Sequence, residues 1–151
     1  MTIQFDWTEW STLREASTMS DTAKLGWIIV YVPDVAQALD FYGRAFDLAT
    51  DFIDERASFG QLATGATALA FATEERARAE IGGPFRLGRR DDEPGNVEIC
   101  LVFDEPVAAF DRAVAAGCDA IAQPVPKPHG QTSGFVRDPF GTLVEIASPL
   151  A

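Results

Sequence analysis

The chain has 151 residues, 47% of them hydrophobic, which is enough for one well-buried domain and short for two independent ones. Its net charge of -11 leaves no basic patch to neutralise phosphates, which argues against nucleic acid and anionic membrane surfaces and for a neutral or cationic small ligand. Cys100 and Cys118 lack the CxxC spacing of a zinc or redox site and read as buried thiols of a reducing compartment.

Residues 1–24 are too polar and acidic for a signal peptide, and no run has the length needed to span a bilayer, so the expected location is cytoplasmic. Trp7, Trp10 and Leu13 recur near every third position, which predicts a part-helical N-terminal extension with an apolar stripe. Three placements suit that stripe: on its own domain, across a dimer interface, or as a lid over a cavity.

Residues 26–32, GWIIVYV, form a β-branched and aromatic run that predicts a buried strand. Asp34 then caps a helix, VAQALDFYGRAFDL, in which Val35, Ala38, Leu39, Tyr42 and Phe46 share one face. Extended segments follow at about 50–55, 58–64 and 67–72, with Gly65 turning between the last two. The first unit is therefore βαβββ. TEERARAEI reads as a short exposed helix, and GGPFRLGRRDDEPGN has the Gly, Pro and charge content of a linker.

The pattern then restarts. VEICLVF (97–103) predicts a strand, and Asp104 or Glu105 begins a helix with Val107, Phe110 and Val114 on one face and Gly117 as its stop. DAIAQPV, TSGFVRD and TLVEIAS supply three more strands, the last two joined by the DPFG turn, where Arg137 and Asp138 are expected to fix the backbone locally. The halves repeat about seventy residues apart.

VPDVAQALDFYGRAFDL and KPHGQTSGFVRDPFGTLVEI, in that order and inside a repeated pattern, resemble the signatures of the vicinal oxygen chelate superfamily, the glyoxalase, bleomycin-resistance and dioxygenase group. The resemblance covers about 25–149. It implies an α+β fold of two tandem βαβββ modules forming an open, cupped mixed sheet. Module one spans about 25–75, the linker about 76–95 and module two about 96–149. It further implies a homodimer and, where a divalent metal is bound, ligands from the first and last strands of both modules.

Strand alternation puts Glu98, Cys100 and Val102 on one face of their strand, opposite Val97, Ile99, Leu101 and Phe103. Leu143, Glu145 and Ala147 likewise share a face, so Glu98 and Glu145 both point to the cavity side as the candidate catalytic carboxylates. The matching positions of module one are Trp27 and either Ala70 or Leu69, none of which binds a cation. No metal is favoured on that count, and a divalent ion would fall to Glu98 and Glu145 with help from Gln61, His129 or water. Trp27, Ile29 and Tyr31 form an aromatic wall of candidate ligand-binding residues, joined by Gln61 and Cys100 and, more weakly, by His129, Gln131 and Phe135.

The leading expectation is a glyoxalase/bleomycin-resistance-like protein that encloses a small organic molecule, cationic or aromatic, without a tightly held metal. It would act by sequestration or by carboxylate acid/base chemistry. Two alternatives stand beside it: a divalent-metal-dependent lyase, isomerase or dioxygenase of the same superfamily, and a non-enzymatic partner-binding dimer.

Overall fold

The computed structural model describes residues 21–150, so the Trp7, Trp10 and Leu13 stripe and the helical reading of the extension lie outside the described residues. The first apolar run becomes β1 (Trp27–Val32), but not the buried strand expected: it is an edge strand of its sheet, with Val32 buried and Trp27 and Ile29 exposed on one face. The Asp34 side chain caps α1 (Val35–Phe46) by accepting from the Gln37 backbone N–H at 3.0 Å. β2 (Thr50–Ile53), β3 (Phe59–Leu62) and β4 (Ala68–Thr73) complete module one, and α2 (Glu74–Ile81) opens the linker. Module two is β5 (Glu98–Val102), α3 (Pro106–Ala116), β6 (Asp119–Pro126), β7 (Thr132–Arg137) and β8 (Leu143–Ala147).

Each module folds into its own four-stranded mixed sheet, ordered β1-β4-β3-β2 and β5-β8-β7-β6. The first and last strands of each module run parallel, β1 on β4 and β5 on β8, and the remaining pairs are antiparallel. The result is the expected α+β repeat, open rather than closed into a barrel. Among the described residues no helix is long and apolar enough to cross a membrane.

One core serves both modules. Val35, Leu39, Tyr42 and Phe46 of α1 pack with Leu69 and Phe71 of β4 and with Val136, Val144 and Ile146 of module two. On α3 the observed buried stripe corrects the expected one: Pro106, Ala109, Phe110 and Ala113 are buried, while Val107 and Val114 are exposed. The physical reason is helix contact. α3 packs against α1, and the small Ala109 and Ala113 let the two axes approach where valines would hold them apart.

Polar bonds pin the modules together. The buried Tyr42 hydroxyl donates to Asp138 Oδ2 at 2.5 Å, across 96 positions of chain. Asp138, fully buried, also accepts from the backbone N–H groups of Phe140 and Thr142 at 2.9 and 2.8 Å through Oδ1, which shapes the DPFG turn. Arg137 reaches further than the local role expected of it: besides Gly141 O, its guanidinium donates to Asp92 O at 2.6 Å and Arg89 O at 3.0 Å. Arg89 in turn pairs with the buried Glu74 at 2.6 Å. The linker is thereby strapped to module two and back onto its own helix α2.

Two glycines allow close approaches. A Cβ on Gly134 would stand 2.7 Å from Ala122 O and Pro124 N, both backbone atoms of the irregular β6, and one on Gly141 (φ 99°) would meet Arg89 backbone at 2.6 Å. Gly134→Ala is expected to lose about 1–3 kcal/mol, because backbone cannot yield as a side chain can. Tyr42→Phe is expected to lose about 1.5–3 kcal/mol, the range for a hydrogen bond to a buried charged partner. Urea unfolding checks both, and an unchanged midpoint for Tyr42→Phe would remove that bond from its role in joining the modules.

Candidate functional site

The repeated register settles which positions correspond. Trp27 pairs with Ala68 and Ile29 with Ala70, as Glu98 pairs with Leu143 and Cys100 with Glu145. Ala70, not Leu69, is thus the counterpart of Glu145: Ala70 lies beside Gln61 as Glu145 lies beside Phe135. Leu69 belongs to the apolar core behind the sheet.

Glu98, Cys100 and Glu145 come together on one face of module two. Glu98 is exposed and Glu145 half-buried. Desolvation raises the Glu98 pKa first, and the neighbouring Glu145 raises it further, by hydrogen bonding to the protonated form and by its charge. The Cys100 thiol is pushed up to about 11, by partial desolvation of the sulfur and then by the charges of Glu145 and Glu98. Cys100 as a residue is exposed, so the thiol is reachable and yet held protonated by its two acidic neighbours. Cys118 matches the buried-thiol expectation, and Cys100 corrects it.

The module-one face is arranged differently. The Trp27 indole N–H donates to Gln61 Oε1 at 2.7 Å, and Gln61 Nε2 donates to Asp51 Oδ2 at 2.9 Å. Gln61 is therefore committed on both ends of its amide and orients the indole rather than reaching for an ion. His129 and Gln131 are occupied with one another, Nε2 to Oε1 at 2.7 Å, and Gln131 Nε2 donates to Ser148 O at 2.9 Å. Phe135 is half-buried between Ala122 and Glu145 in its sheet.

Two largely apolar clefts flank the seam between β1 and β5, which is marked by Ile28 and Ile99, residues that line both clefts. The first, about 440 Å³, is bordered by Glu98 and Cys100, with Leu48, Leu69, Thr64 and Thr67 opposite. The second, about 480 Å³, is bordered by Trp27, Ile29 and Tyr31, with Val97, Phe140 and Leu143 from module two. Within one chain Glu98 and the aromatic wall thus line different clefts. Leu48, Thr64, Thr67, Asp51 and Phe140 carried no sequence signal for these positions, because each is brought there by register and module packing rather than by local pattern.

A metal of the kind the resemblance implies would need donors from both modules. Module one offers an indole and a methyl group at the two positions, and among the described residues no group of three or more His, Cys, Asp or Glu side chains is placed to hold an ion. The residues present do not fit a four-ligand centre.

Comparison with known proteins agrees with the fold. A glyoxalase-related enzyme from Fulvimarina pelagi superposes with a TM-score of 0.72 at 22% identity, covering 85% of this chain and 89% of its own. A hypothetical protein of S. aureus gives 0.72 at 15% identity over 88% and 99% of the two chains. TioX from Micromonospora sp. ML1 gives 0.59 at 20% identity over 83% and 98%. At such identities the likeness is one of fold alone. No curated protein matches the chain. Residues 24–146 do match the Glyoxalase/Bleomycin resistance protein/Dioxygenase superfamily, most of the chain and both βαβββ modules, and the protein belongs to that superfamily.

Proposed function

We propose that the protein binds a small organic cation in the first cleft and holds it by charge and apolar contact, without a tightly bound metal. The observation that carries this reading is Glu98, which lines this largely apolar cleft and has Glu145 as its neighbour, in a chain of net charge -11. Two carboxylates side by side repel one another, and a cation between them relieves that repulsion while its hydrocarbon body covers Leu48, Leu69 and Leu101. Sequestration follows from binding alone.

A second reading, acid/base chemistry, is favoured by the direction of the Glu98 shift. A carboxyl whose proton is retained to higher pH is nearer the working range of a general acid, and Glu145 stands beside it as a second carboxyl. A metal-dependent reaction has less support, for want of donors at Trp27 and Ala70.

We further take the protein to be a homodimer. Phe52 and Ile53 on the outer strand of one sheet, and Ile121 and Val125 on the outer strand of the other, are 41–55% exposed. A second copy covering them would remove apolar surface from water and leave the clefts along β1 and β5 free. Light scattering is expected to give twice the 16.3 kDa chain mass, and a monomer at micromolar concentration would sink the dimer.

Calorimetry with benzyltrimethylammonium tests the binding reading. Glu145→Gln is expected to weaken binding roughly five- to tenfold, on the order of 1 kcal/mol for a charge partly screened by water. Affinity should rise with pH through the raised Glu98 pKa, because Glu98 attracts the cation once ionised and attracts it less while it holds its proton. Absence of binding, or stoichiometric metal that is lost on Glu145→Gln, would overturn the proposal.

The same shifts predict stability and reactivity. Glu98 holds its proton more tightly folded than unfolded, so its contribution to stability is present below the unfolded value and lost as pH rises through the folded one. Glu98→Gln should therefore raise Tm at pH 7 by about 1–3 °C, corresponding to about 0.5 kcal/mol after screening, and should do less at pH 4. Iodoacetamide should label Cys100 more slowly at pH 8 than a free thiol, and Glu145→Gln should accelerate it.

A further inference from the structure

We infer that the second cleft is a binding site for a neutral, planar aromatic molecule, separate from the cation site proposed for the first. The inference begins with what the walls lack. None of the described residues lining this cleft carries a charge, although charged residues make up 23% of the chain. An ionic ligand would give up its hydration there without a counter-charge, whereas a neutral ring system loses little.

The walls are aromatic and each is held from behind. Trp27 presents only its ring surface, because its one donor is taken by Gln61, which is itself fixed by Asp51. Tyr31 stands edge-on to Phe85 with ring centroids 5.0 Å apart, and the Arg78 guanidinium lies over the Phe85 ring, 5.7 Å from its centre. Phe140 meets Phe41 of the core at 6.1 Å and 88°. Rings that are already ordered lose little rotamer freedom when a ligand stacks on them, so the contact energy is retained.

The rest of the lining sets the shape. Gly88, Gly95 and Gly141 contribute only backbone to it. The linker that carries Gly88 and Gly95 is strapped in place through Arg137 and Arg89, so this wall is part of the fold. Asn96, an exposed amide able to donate and accept, is a polar handle on the lining. At about 480 Å³ the cleft is within the range that holds a small organic ligand. A fused bicyclic ring bearing one hydroxyl or carbonyl group satisfies every feature.

The probe is 2-naphthol, titrated calorimetrically into the full chain at pH 7, where it is neutral. Saturable one-to-one binding is expected. Val97→Asp places a carboxylate on the lining at a residue 66% exposed, where the fold tolerates it, and should weaken binding by about tenfold or more; Asn96→Ala should weaken it about two- to fivefold. Circular dichroism melts of both variants confirm folding. Glu98→Gln and Glu145→Gln should leave 2-naphthol affinity unchanged while lowering that for benzyltrimethylammonium, so the two sites fail or stand separately. No binding to the full chain overturns the inference, as does binding that Val97→Asp leaves intact or that depends on Glu98. Binding seen only after Trp7→Leu and Trp10→Leu would also overturn it, since the occupant would then be the chain's own N-terminus.

Discussion

The hydrogen bond from Tyr42 to Asp138 is the constraint on which the rest of the arrangement depends. It joins the middle of α1 to the turn between β7 and β8, and so fixes module two against module one at a point buried from water. Desolvation raises the pKa of both groups, and the short bond is what makes their burial tolerable. Once that turn is placed, Phe140, Gly141 and Leu143 come to the edge of β1, and the Arg137 guanidinium just before it gathers the carbonyls of Arg89 and Asp92. The second cleft is thus a consequence of one buried polar contact and the turn it anchors.

Elements governed by local rules were legible in the sequence. Asp34, Gly65, Gly117 and Gly141 mark ends and turns where they were expected, and period-two alternation assigned the faces of β5 and β8 correctly. What escaped was set by partners distant in the chain. The stripe of α3 was misplaced because hydrophobicity favours valine, while the neighbouring helix selects alanine for its size. Gln61 looked free as an inward-pointing amide, and only the register beside Trp27 and Asp51 shows both ends committed. Phe85, in a segment of linker composition, gave no hint that it would fold back onto Tyr31.

The two modules carry the same scaffold and opposite chemistry. Across module one, the row at the site reads Ile29, Ala70, Gln61 and Phe52; across module two, Cys100, Glu145, Phe135 and Ala122. Where one row has a methyl group the other has a carboxylate, and where one has an amide the other has a phenyl ring. A shared metal centre would require donors at equivalent positions in both rows, and this divergence removes them from one side only.

That asymmetry also explains why the acidic and aromatic features are kept apart. Had Glu98 lined the same cleft as Trp27, Tyr31 and Phe140, its ionised form would have been drawn against aromatic walls, and the electron-rich ring faces would have added to the repulsion. Placing it across the Ile28 and Ile99 seam leaves Glu98 exposed enough to be hydrated, so its pKa is raised without being forced permanently neutral. The same separation leaves the second cleft free of charge. Each chemistry therefore depends on the other being on the far side of the seam, and a larger or smaller residue at Ile28 or Ile99 would act on both at once.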